Sequence, residues 1–553
     1  MRNYRFLSVS VFVVAFCAVV GGVFGRSALA TQDQVPDQYR VFTAALSAIE
    51  SGYVGTVESD RLVYGAISGM LQTLDPHSSF MDPRSYAQMR ERQEGRYYGL
   101  GITISVVNGD ITVVSLFEGS PAYQKGLRRG DVIARISGEE TKGWASDDAV
   151  RRLRGARGTP VDISIRRPGY DGLIALQVLR DEIHIPTVPA AFMLDATTGY
   201  IRLQDFGENT DAELGAALEM LTARGMERLV FDLRGNPGGA LDQAIKVSNR
   251  FLPRGDMIVY TRGRVPNSDQ DYRATETSDY LGLPMVTLVN RNSASASEIV
   301  SGALQDHDRS LIVGETTFGK ALVQSVYRLS EGAGAAITTA RYYTPSGRLI
   351  QRPWDGSFDE YLSYTLRDQD ANKIHSDADL KLTDGGRRVY SGGGIEPDRR
   401  LDGPVEGFSP STFSRTLASR GVFASFSQRF AREGDDRIAD RPATPLRELA
   451  PGFALTDEML AEFRAHAREA RVEIDEAAWA ADQAFIRAML RYEIDLDLFG
   501  IGEARRNLSS SDPQLQFALT LFGEAQRLLQ LPAGGTTQQV AHPDSSADRQ
   551  AAR

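Results

Sequence analysis

The sequence predicts a multidomain α/β protein, and three observations support this fold class. Between residues 186 and 350, strand-like runs alternate with helix-like segments, a pattern typical of an α/β core with a largely parallel sheet. Between residues 97 and 183 the runs are short and β-like, which predicts a small β-barrel. In the ranges 34–94 and 409–531 apolar residues recur three and four apart, so both ranges are predicted to be helical.

The helical N-terminal region at residues 34–94 is predicted from two apolar stripes. The stripes consist of Tyr39, Phe42, Ala45, Leu46 and Ile49 and of Leu62, Ala66, Ile67, Met70 and Leu74. Asp75-Pro76 is predicted to end the second helix, because proline directs the residue before it away from the α region. We expect this region to form a cap that belongs with a core at residues 186–400.

The first 30 residues have the pattern of an export signal. Arg2 and Arg5 precede an apolar run at residues 6–25, and Ala28-Leu29-Ala30 offers a small-x-small cleavage site. We therefore expect the protein to be exported and to work in the periplasm or another extracytoplasmic compartment. Because the run is long enough to cross a bilayer as a helix, retention as an inner-membrane anchor is the alternative to cleavage.

Composition and charge exclude several classes of function. The net charge of the 553-residue chain is −10, which argues against nucleic acid as a partner because phosphate binding requires a basic face. The only cysteine, Cys17, lies in the N-terminal apolar run, so neither a disulfide nor a thiolate metal site is expected in the exported part.

Residues 532–553 are predicted to form a disordered tail, since they have little apolar surface to bury.

A glycine-flanked segment begins the β-rich range at residues 97–183. Gly99, Leu100, Gly101 and Ile102 stand at the start of a predicted strand. A glycine-permitted loop can turn successive N–H groups toward a terminal carboxylate, while the next strand offers a free edge to an extended peptide. These four residues are therefore predicted to bind a peptide C-terminus. The alternative is a small β-barrel whose glycines serve only turns.

This range resembles a PDZ domain in several motifs. They are Tyr98-Gly99-Leu100-Gly101-Ile102, Gly119-Ser120-Pro121-Ala122 before Gly126-Leu127, and Gly130-Asp131-Val132-Ile133. The resemblance implies a module that captures C-terminal peptides.

Ser295 stands where a buried strand is predicted to turn into a helix. Such a position exposes the hydroxyl, and the N–H of Ala296 is expected to face a developing oxyanion with the positive end of the helix behind it. Ser293 and Ser297 are close by, and physical arguments alone do not choose among the three serines. The alternative role is structural, because Ser295 and Glu298 have the spacing of a helix-capping box.

Lys320 lies in an apolar segment that is predicted to start a strand. Burial disfavours the charged form of a lysine, so a desolvated lysine can act as a base near neutral pH. Residues four apart share a face of a strand, so Gln324 is expected beside Lys320, where it would orient the amine. The alternative is an ordinary surface lysine. None of the six histidines stands out as the base of a Ser-His-Asp triad.

A third element is the segment Asp232-Leu233-Arg234-Gly235-Asn236-Pro237-Gly238-Gly239, a strand end followed by a glycine turn. Paired glycines allow backbone N–H groups to face a ligand. Gly238 or Gly239 is therefore expected to supply a second oxyanion donor.

Together these segments resemble the carboxyl-terminal processing family, also called tail-specific proteases, which are Ser-Lys serine endopeptidases with an inserted PDZ domain. The resemblance runs from about residue 35 to residue 400 and rests on motifs in the same order. They are Asp75-Pro76-His77-Ser78, Ser293-Ala294-Ser295-Ala296-Ser297-Glu298, Gly314-Glu315-Thr316-Thr317-Phe318-Gly319-Lys320, Tyr342-Tyr343-Thr344-Pro345-Ser346-Gly347-Arg348 and Gly393-Gly394-Ile395-Glu396-Pro397-Asp398.

The resemblance implies an α/β (crotonase-like) protease core and a role for each residue of the site. It implies that Ser295 is the nucleophile, Lys320 the general base and Gln324 the residue that orients the lysine. The family's oxyanion hole falls on Ala296 and on a glycine of the Gly238-Gly239 pair, and no metal or organic cofactor is implied. One departure is Ala321, which stands where the family usually has glycine.

We therefore predict an exported endopeptidase that recognises exposed, apolar C-termini of proteins through its PDZ domain and hydrolyses peptide bonds at the Ser-Lys site. One alternative is a catalytically silent PDZ scaffold that binds C-terminal peptides. Another is a hydrolase of amides or esters that are not proteins. The helical C-terminal region at residues 409–531 lies outside the resemblance, and it is predicted to form a homo-oligomer, to dock an adaptor or to brace the core.

Overall fold

The computed structural model describes residues 34–167, 170–354, 361, 375–401, 410–434 and 446–531. The predicted export signal and the predicted tail lie outside these residues. No helix within the described ranges combines the length and the apolarity that a membrane crossing requires. The described residues divide into two compact units, of which one comprises residues 34–82 and 326–337 and the other the remaining described residues.

The first unit contains the predicted N-terminal helices. Helix α1 spans Gln34–Gly52 and helix α2 spans Ser59–Gln72, followed by strand β1 at Ser79–Met81, which pairs antiparallel with residues 334–336. The helical period that the apolar stripes predict is confirmed. The stripe of α1 nevertheless lies on the surface, where Tyr39 is 69% exposed.

The second unit begins with the β-rich domain. Its elements are α3 (Pro83–Glu94), β2 (Arg96–Gly99), β3 (Ile102–Val107), β4 (Asp110–Leu116), α4 (Pro121–Gln124), β5 (Val132–Ile136), β6 (Glu139–Glu140), α5 (Ser146–Leu153), β7 (Pro160–Arg166), β8 (Ile174–Leu179) and β9 (Asp181–His184). The strand order is β3-β4-β5-β7-β8, with β6 beside β5, and β2 pairs separately with β9. Among the described strands β3 has a partner on one side only, so its other edge is open.

The α/β core follows. Its elements are β10 (Ala190–Met193), β11 (Thr198–Arg202), α6 (Thr210–Ala223), β12 (Arg228–Asp232), α7 (Leu241–Asn249), β13 (Met257–Arg262), β14 (Gln270–Arg273), β15 (Met285–Val289), α8 (Ala296–Asp306), β16 (Leu311–Gly314), β17 (Leu322–Arg328), β18 (Gly334–Tyr343), β19 (Leu380–Leu382), β20 (Arg388–Tyr390) and β21 (Arg399–Arg400). The main sheet has the order β10-β11-β12-β15-β16-β21, and every pairing except β10 with β11 is parallel. The predicted, largely parallel sheet is therefore confirmed.

Both faces of this sheet are covered, as parallel sheets require. Along β12 the side chains of Leu229 and Phe231 pack with helices α6, α7 and α8, while Val230 between them belongs to the core of the opposite face. This alternation is the period of two that a strand imposes.

The helical C-terminal region supplies the cover of that opposite face. Its elements are α9 (Thr412–Ser419), α10 (Val422–Ser427), β22 (Phe430–Arg432), β23 (Arg447–Leu449), α11 (Asp457–Glu469), α12 (Glu476–Ala481), α13 (Gln483–Ser509), α14 (Pro513–Thr520) and α15 (Phe522–Leu528). Helices α9 to α13 enclose a core of their own, whereas Leu515, Ala518 and Phe522 of α14 and α15 pack on the sheet. The predicted fold class is confirmed, and the end of the C-terminal region braces the core.

Candidate active site

Ser295 lies directly before helix α8, on the loop that follows strand β15. Its backbone has φ 54° and ψ −112°, a conformation that residues with a Cβ atom rarely adopt. Such strain costs about 1–3 kcal/mol and is typical of functional sites, where the surrounding structure maintains it. The side chain is half-buried, while every residue of α8 is buried. The serine is therefore held in an unusual conformation at the start of a fully buried helix.

The structure distinguishes Ser295 from its two neighbouring serines. Ser293 and Ser297 are fully buried. The hydroxyl of Ser293 donates to the carbonyl oxygen of Leu233 at 2.9 Å, and the hydroxyl of Ser297 donates to that of Asn236 at 3.0 Å. Both hydroxyls are thus occupied in structural hydrogen bonds, and Ser295 is the accessible member of the three.

A single carboxylate joins the backbones of Ser295 and Lys320. The N–H groups of both residues donate to Oε2 of Glu298, at 2.8 Å and 2.9 Å. Oε1 of Glu298 accepts from the Gly319 N–H at 2.7 Å and from the Thr317 hydroxyl at 2.6 Å. Glu298 therefore makes the predicted contact of a capping box, but it also anchors the segment that carries Lys320.

The environment of Glu298 raises its pKa. The side chain is fully buried, and burial disfavours the charged form; the four hydrogen bonds favour that form but only partly compensate. The pKa of Glu298 is raised to about 7 as a result. An ionised Glu298 can accept all four hydrogen bonds, whereas a protonated one has an O–H that competes with the N–H donors.

Tyr342 makes a second connection between the two segments. Its hydroxyl oxygen lies 2.5 Å from the carbonyl oxygen of Lys320 and 3.2 Å from that of Ser295. Because a phenol has one proton, it donates to one carbonyl at a time, and the Lys320 carbonyl is the nearer. This contact was not predictable from the sequence, since Tyr342 lies on the distant strand β18.

Lys320 precedes strand β17 by two residues, whereas the sequence predicts that the strand starts around it. The predicted strand is therefore present, and it begins inside the apolar segment that contains Lys320. The side chain is half-buried, and its Nζ donates to Oε1 of Gln324 at 2.9 Å. The structure thus brings together the lysine and the glutamine that the sequence singles out.

Residues 232–239, which are expected from the sequence to supply an oxyanion donor and which we call the oxyanion loop, lie directly against Ser295. Gly238 has φ 94°, and a Cβ atom on it would stand 2.8 Å from both the Ser295 Cβ and the Ala296 nitrogen. Only glycine fits this position. The Gly238 N–H donates to Oδ1 of Asn236 at 2.9 Å, whereas the Gly239 N–H has no acceptor among the residues that the structure describes.

Asn236 fastens the oxyanion loop to the helix that follows Ser295, a role that sequence reasoning missed. The residue is fully buried, and its side-chain amide donates to the carbonyl oxygen of Leu203 at 3.0 Å. Its own carbonyl oxygen accepts from the N–H of Ala294 at 3.0 Å as well as from Ser297. Asn236 therefore ties the loop directly to the turn that carries Ser295.

The predicted peptide-binding loop lies between strands β2 and β3. Gly101 has φ 78°, and a Cβ atom on it would stand 2.2 Å from the Cβ of Ser120, so the position requires glycine. Leu100 is buried in the domain core. The N–H groups of Leu100 and Gly101 have no acceptor in the described part of the chain. Two adjacent donors thus stand beside the open edge of β3.

Comparison with protein families agrees with this architecture. Residues 197–355 match the model of Peptidase family S41, residues 88–166 match that of the PDZ domain, and residues 25–85 match that of the activating protease CtpB N-terminal domain. The three matches fall on the core, on the β-rich domain and on the N-terminal helices, respectively.

Two bacterial relatives point to the same class. The carboxy-terminal-processing protease of Bartonella bacilliformis is 41% identical over 307 residues, which are 55% of this chain and 70% of the relative. The carboxy-terminal processing protease CtpA of Bacillus subtilis is 34% identical over 353 residues, 62% of this chain and 74% of the relative. A solved photosystem II D1 C-terminal processing protease is 29% identical, with 66% of this chain and 93% of that chain covered and a TM-score of 0.35.

An S41-type core with an inserted PDZ domain defines a serine protease. The extent of the match with its relatives places the chain more narrowly: it belongs to the carboxy-terminal processing proteases.

Proposed function

We propose that the protein is an exported endopeptidase in which Ser295 is the nucleophile, Lys320 the general base and Gln324 the residue that orients the lysine. The observation that carries the proposal is the shared Glu298 oxygen, which holds a strained serine and a lysine segment in one frame. The contact of Lys320 with Gln324 supports it further.

The chemistry follows from these positions. Lys320 in its neutral form takes the proton of the Ser295 hydroxyl while the oxygen attacks the scissile carbonyl. The ammonium then gives this proton to the leaving amine, and an acyl-enzyme ester remains on Ser295. Water attacks the ester with the same base, which releases the new C-terminus and restores the serine.

The oxyanion that forms in both steps needs donors. We assign this role to the N–H of Ala296, at the positive end of α8, and to the N–H of Gly239. Gly238 is the less suitable member of the glycine pair, because its N–H is already engaged by Asn236.

The PDZ domain supplies recognition in this proposal. Gly99, Leu100, Gly101 and Ile102 surround the substrate's terminal carboxylate, and the open edge of β3 pairs with the residues that precede it. Apolar C-terminal side chains are the predicted preference.

The same proposal includes a division of the chain into four regions. They are residues 34–94, 97–183, 186–400 and 409–531.

Export and attachment complete the proposal. The apolar run at residues 6–25 directs the chain out of the cytoplasm, either as a cleaved signal or as an anchor. Oligomer formation and adaptor docking through the C-terminal region stay predictions.

A reporter with two different ends tests the proposal. An unfolded protein that ends in apolar residues is expected to be cleaved at least about tenfold faster than the same protein ending in two aspartates, since the end is read by the PDZ domain. The enzyme is the same in both reactions, and only the C-terminal residues of the reporter differ, so the PDZ domain does not have to be deleted. Equal cleavage of both reporters would remove C-terminal recognition from the account, and binding without cleavage would indicate a scaffold.

A further inference from the structure

We propose that Asp512, at the start of helix α14, is a positioning residue for the oxyanion loop and acts through Arg234. The inference rests on the proposed function, because it assigns the C-terminal region a part in that same site. Asp512 lies far along the chain from the site, beyond the region matched by the peptidase model.

The contact between the two residues is a paired one. Nη1 and Nη2 of Arg234 donate to Oδ1 and Oδ2 of Asp512 at 3.1 Å and 2.7 Å. Nη1 also donates to Oε1 of Gln514 at 2.8 Å. The Arg234 side chain is 13% exposed and that of Asp512 19%, so the pair is largely shielded from water. Shielded, bidentate pairs are the strong and geometrically specific ones.

The other side of the guanidinium faces Asp232. Nε and Nη2 of Arg234 donate to the two oxygens of Asp232 at 3.0 Å and 2.7 Å. Arg202 competes for the same carboxylate, with Nη1 3.1 Å from Oδ2. Two guanidinium groups therefore share one fully buried carboxylate, and Asp512 supplies the second negative charge. Without it, one cation in this cluster would lack a partner, which is costly in a buried site.

The position of Arg234 affects the backbone conformation of the oxyanion loop, because hydrogen bonds fix the residues around it. Its carbonyl oxygen accepts from Nη2 of Arg202 at 2.5 Å, and the next residue, Gly235, donates its N–H to Oδ1 of Asn290 at 2.8 Å. Asn236 follows, and its carbonyl binds the turn that carries Ser295. A displaced Arg234 would therefore move the proposed oxyanion donors relative to the serine.

Asp512 also caps helix α14, and the test must separate the two roles. Its Oδ1 accepts from the N–H groups of Gln514 and Leu515, both at 3.1 Å. Asparagine is as good an N-cap as aspartate. The substitution Asp512→Asn therefore keeps the cap and removes the charge that faces Arg234. Asp475 is a matched control, since it caps α12 through the Ala478 N–H and contacts no residue of the loop.

The experiment compares the full-length wild type with Asp512→Asn and Asp475→Asn on the apolar reporter. We expect Asp512→Asn to lower kcat about tenfold with KM within about twofold, because a misplaced oxyanion donor weakens the transition state rather than substrate binding. A peptide aldehyde, whose adduct oxygen occupies the oxyanion hole, should bind Asp512→Asn more weakly by a similar factor. Asp512→Glu should recover part of the loss, and Asp475→Asn should match the wild type.

An unchanged kcat in folded Asp512→Asn would overturn the inference, and so would an equal loss in Asp475→Asn. Should Asp512→Asn fail to fold, Gln514→Ala decides, because it removes the other C-terminal contact with Arg234; we expect kcat to fall about threefold, and an unchanged kcat overturns the inference. Ser295→Ala is measured in parallel. Full activity of Ser295→Ala would contradict the proposed function, whereas loss of activity there with normal Asp512→Asn would contradict only the role of Asp512.

Discussion

Ser295 and Lys320 are joined through their backbones, because the N–H groups of both donate to the same oxygen, Oε2 of Glu298, at 2.8 Å and 2.9 Å. The proposed nucleophile and the proposed base therefore do not take up their positions independently. A change at Glu298 alters both at once, without touching either reactive side chain.

Replacement of Glu298 by glutamine tests this coupling. The amide has one acceptor oxygen and an NH2 group that cannot accept, so at least two of the four donors lose their partner. We expect Glu298→Gln to lower kcat at least about 100-fold, since displacement of reacting groups by about 1 Å costs that much. The measurement is steady-state cleavage of a peptide reporter.

Glu213 offers a matched control for this substitution. Its carboxylate also accepts backbone N–H groups, those of Thr187 and Val188 at 2.8 Å and 2.9 Å, but it lies outside the site. Glu213→Gln should retain activity within a few-fold of the wild type at a temperature where both are folded. Similar kcat values for the Glu298 and Glu213 variants would contradict the coupling.

The raised pKa of Glu298 predicts a pH dependence of stability. The pKa is about 7 in the folded protein and near 4.5 in the unfolded chain, so between these values the unfolded state has released the proton while the folded state keeps it. The unfolded state binds fewer protons in this window, and the free energy of unfolding therefore falls as pH rises from about 4.5 to about 7. The contribution is at most about 3 kcal/mol.

Glu298→Gln isolates this contribution, because the amide does not titrate. Denaturant unfolding at about pH 5 and about pH 7.5 should show a larger loss of stability in the wild type than in the variant. Equal losses in the two proteins would show that Glu298 does not titrate in this range.

Gly238→Ala is expected to abolish cleavage. The added Cβ would stand 2.7 Å from the carbonyl oxygen of Ala294 and 2.8 Å from the Cβ of Ser295, and φ is 94°. We expect kcat/KM to fall at least about 100-fold as the loop moves away from the serine. Gly386→Ala is the control, since Gly386 has a similar φ of 84° but open space around it. Activity of Gly238→Ala close to that of Gly386→Ala would contradict the proposed loop geometry.

Gln324 is expected to act on the lysine rather than on the substrate. Gln324→Ala removes the acceptor 2.9 Å from Nζ of Lys320 and should lower kcat about tenfold with a smaller change in KM. In Gln324→Glu a carboxylate would stabilise the ammonium form, so the rising limb of the pH–kcat profile should move to higher pH. An unshifted limb in Gln324→Glu would separate Gln324 from the function of Lys320.

The contact of the PDZ domain with helix α13 is expected to slow the local opening of the turn at residues 128–131. Arg129 pairs with Glu493 and lies 3.7 Å from Asp497, whose pKa burial raises to about 6 although Arg129 opposes the shift. Arg129→Glu should speed amide exchange in the turn at residues 128–131 by about tenfold or more, because the turn loses its anchor. The charge-swapped double variant with Glu493→Arg should restore part of the protection. Unchanged exchange in Arg129→Glu would mean that the contact adds no restraint.

The fold class could be predicted because its signals are local. Alternation of strand-like and helix-like runs and the glycines before β3 are visible in short windows. The cover of the second sheet face could not be predicted, since Leu515 and Phe522 meet strands that lie more than two hundred residues earlier. Periodicity shows that a helix has an apolar face but does not show what the face packs against.

The candidate site likewise contains some residues that can be identified from the sequence and others whose role only the structure shows. Lys320 and Gln324 are predicted from residue type and spacing, and the family resemblance selects Ser295 among three neighbouring serines. Glu298 is recognisable from the sequence only as a helix cap. Its second pair of hydrogen bonds, to the segment of Gly319 and Lys320, depends on how the chain returns to the helix. Ser293 and Ser297 could be set aside as candidate nucleophiles only once the structure showed their burial and their hydrogen-bond partners.

A comparison of three proteins tests whether Ser295 and Lys320 perform the cleavage. The protein from residue 31 onward, Ser295→Ala and Lys320→Ala are incubated with an unfolded reporter that ends in apolar residues, after circular dichroism has shown equal folding. We expect cleavage by the wild type and a loss of at least about 1,000-fold in each variant. Cleavage by either variant at a rate near that of the wild type would show that the replaced residue does not perform the cleavage.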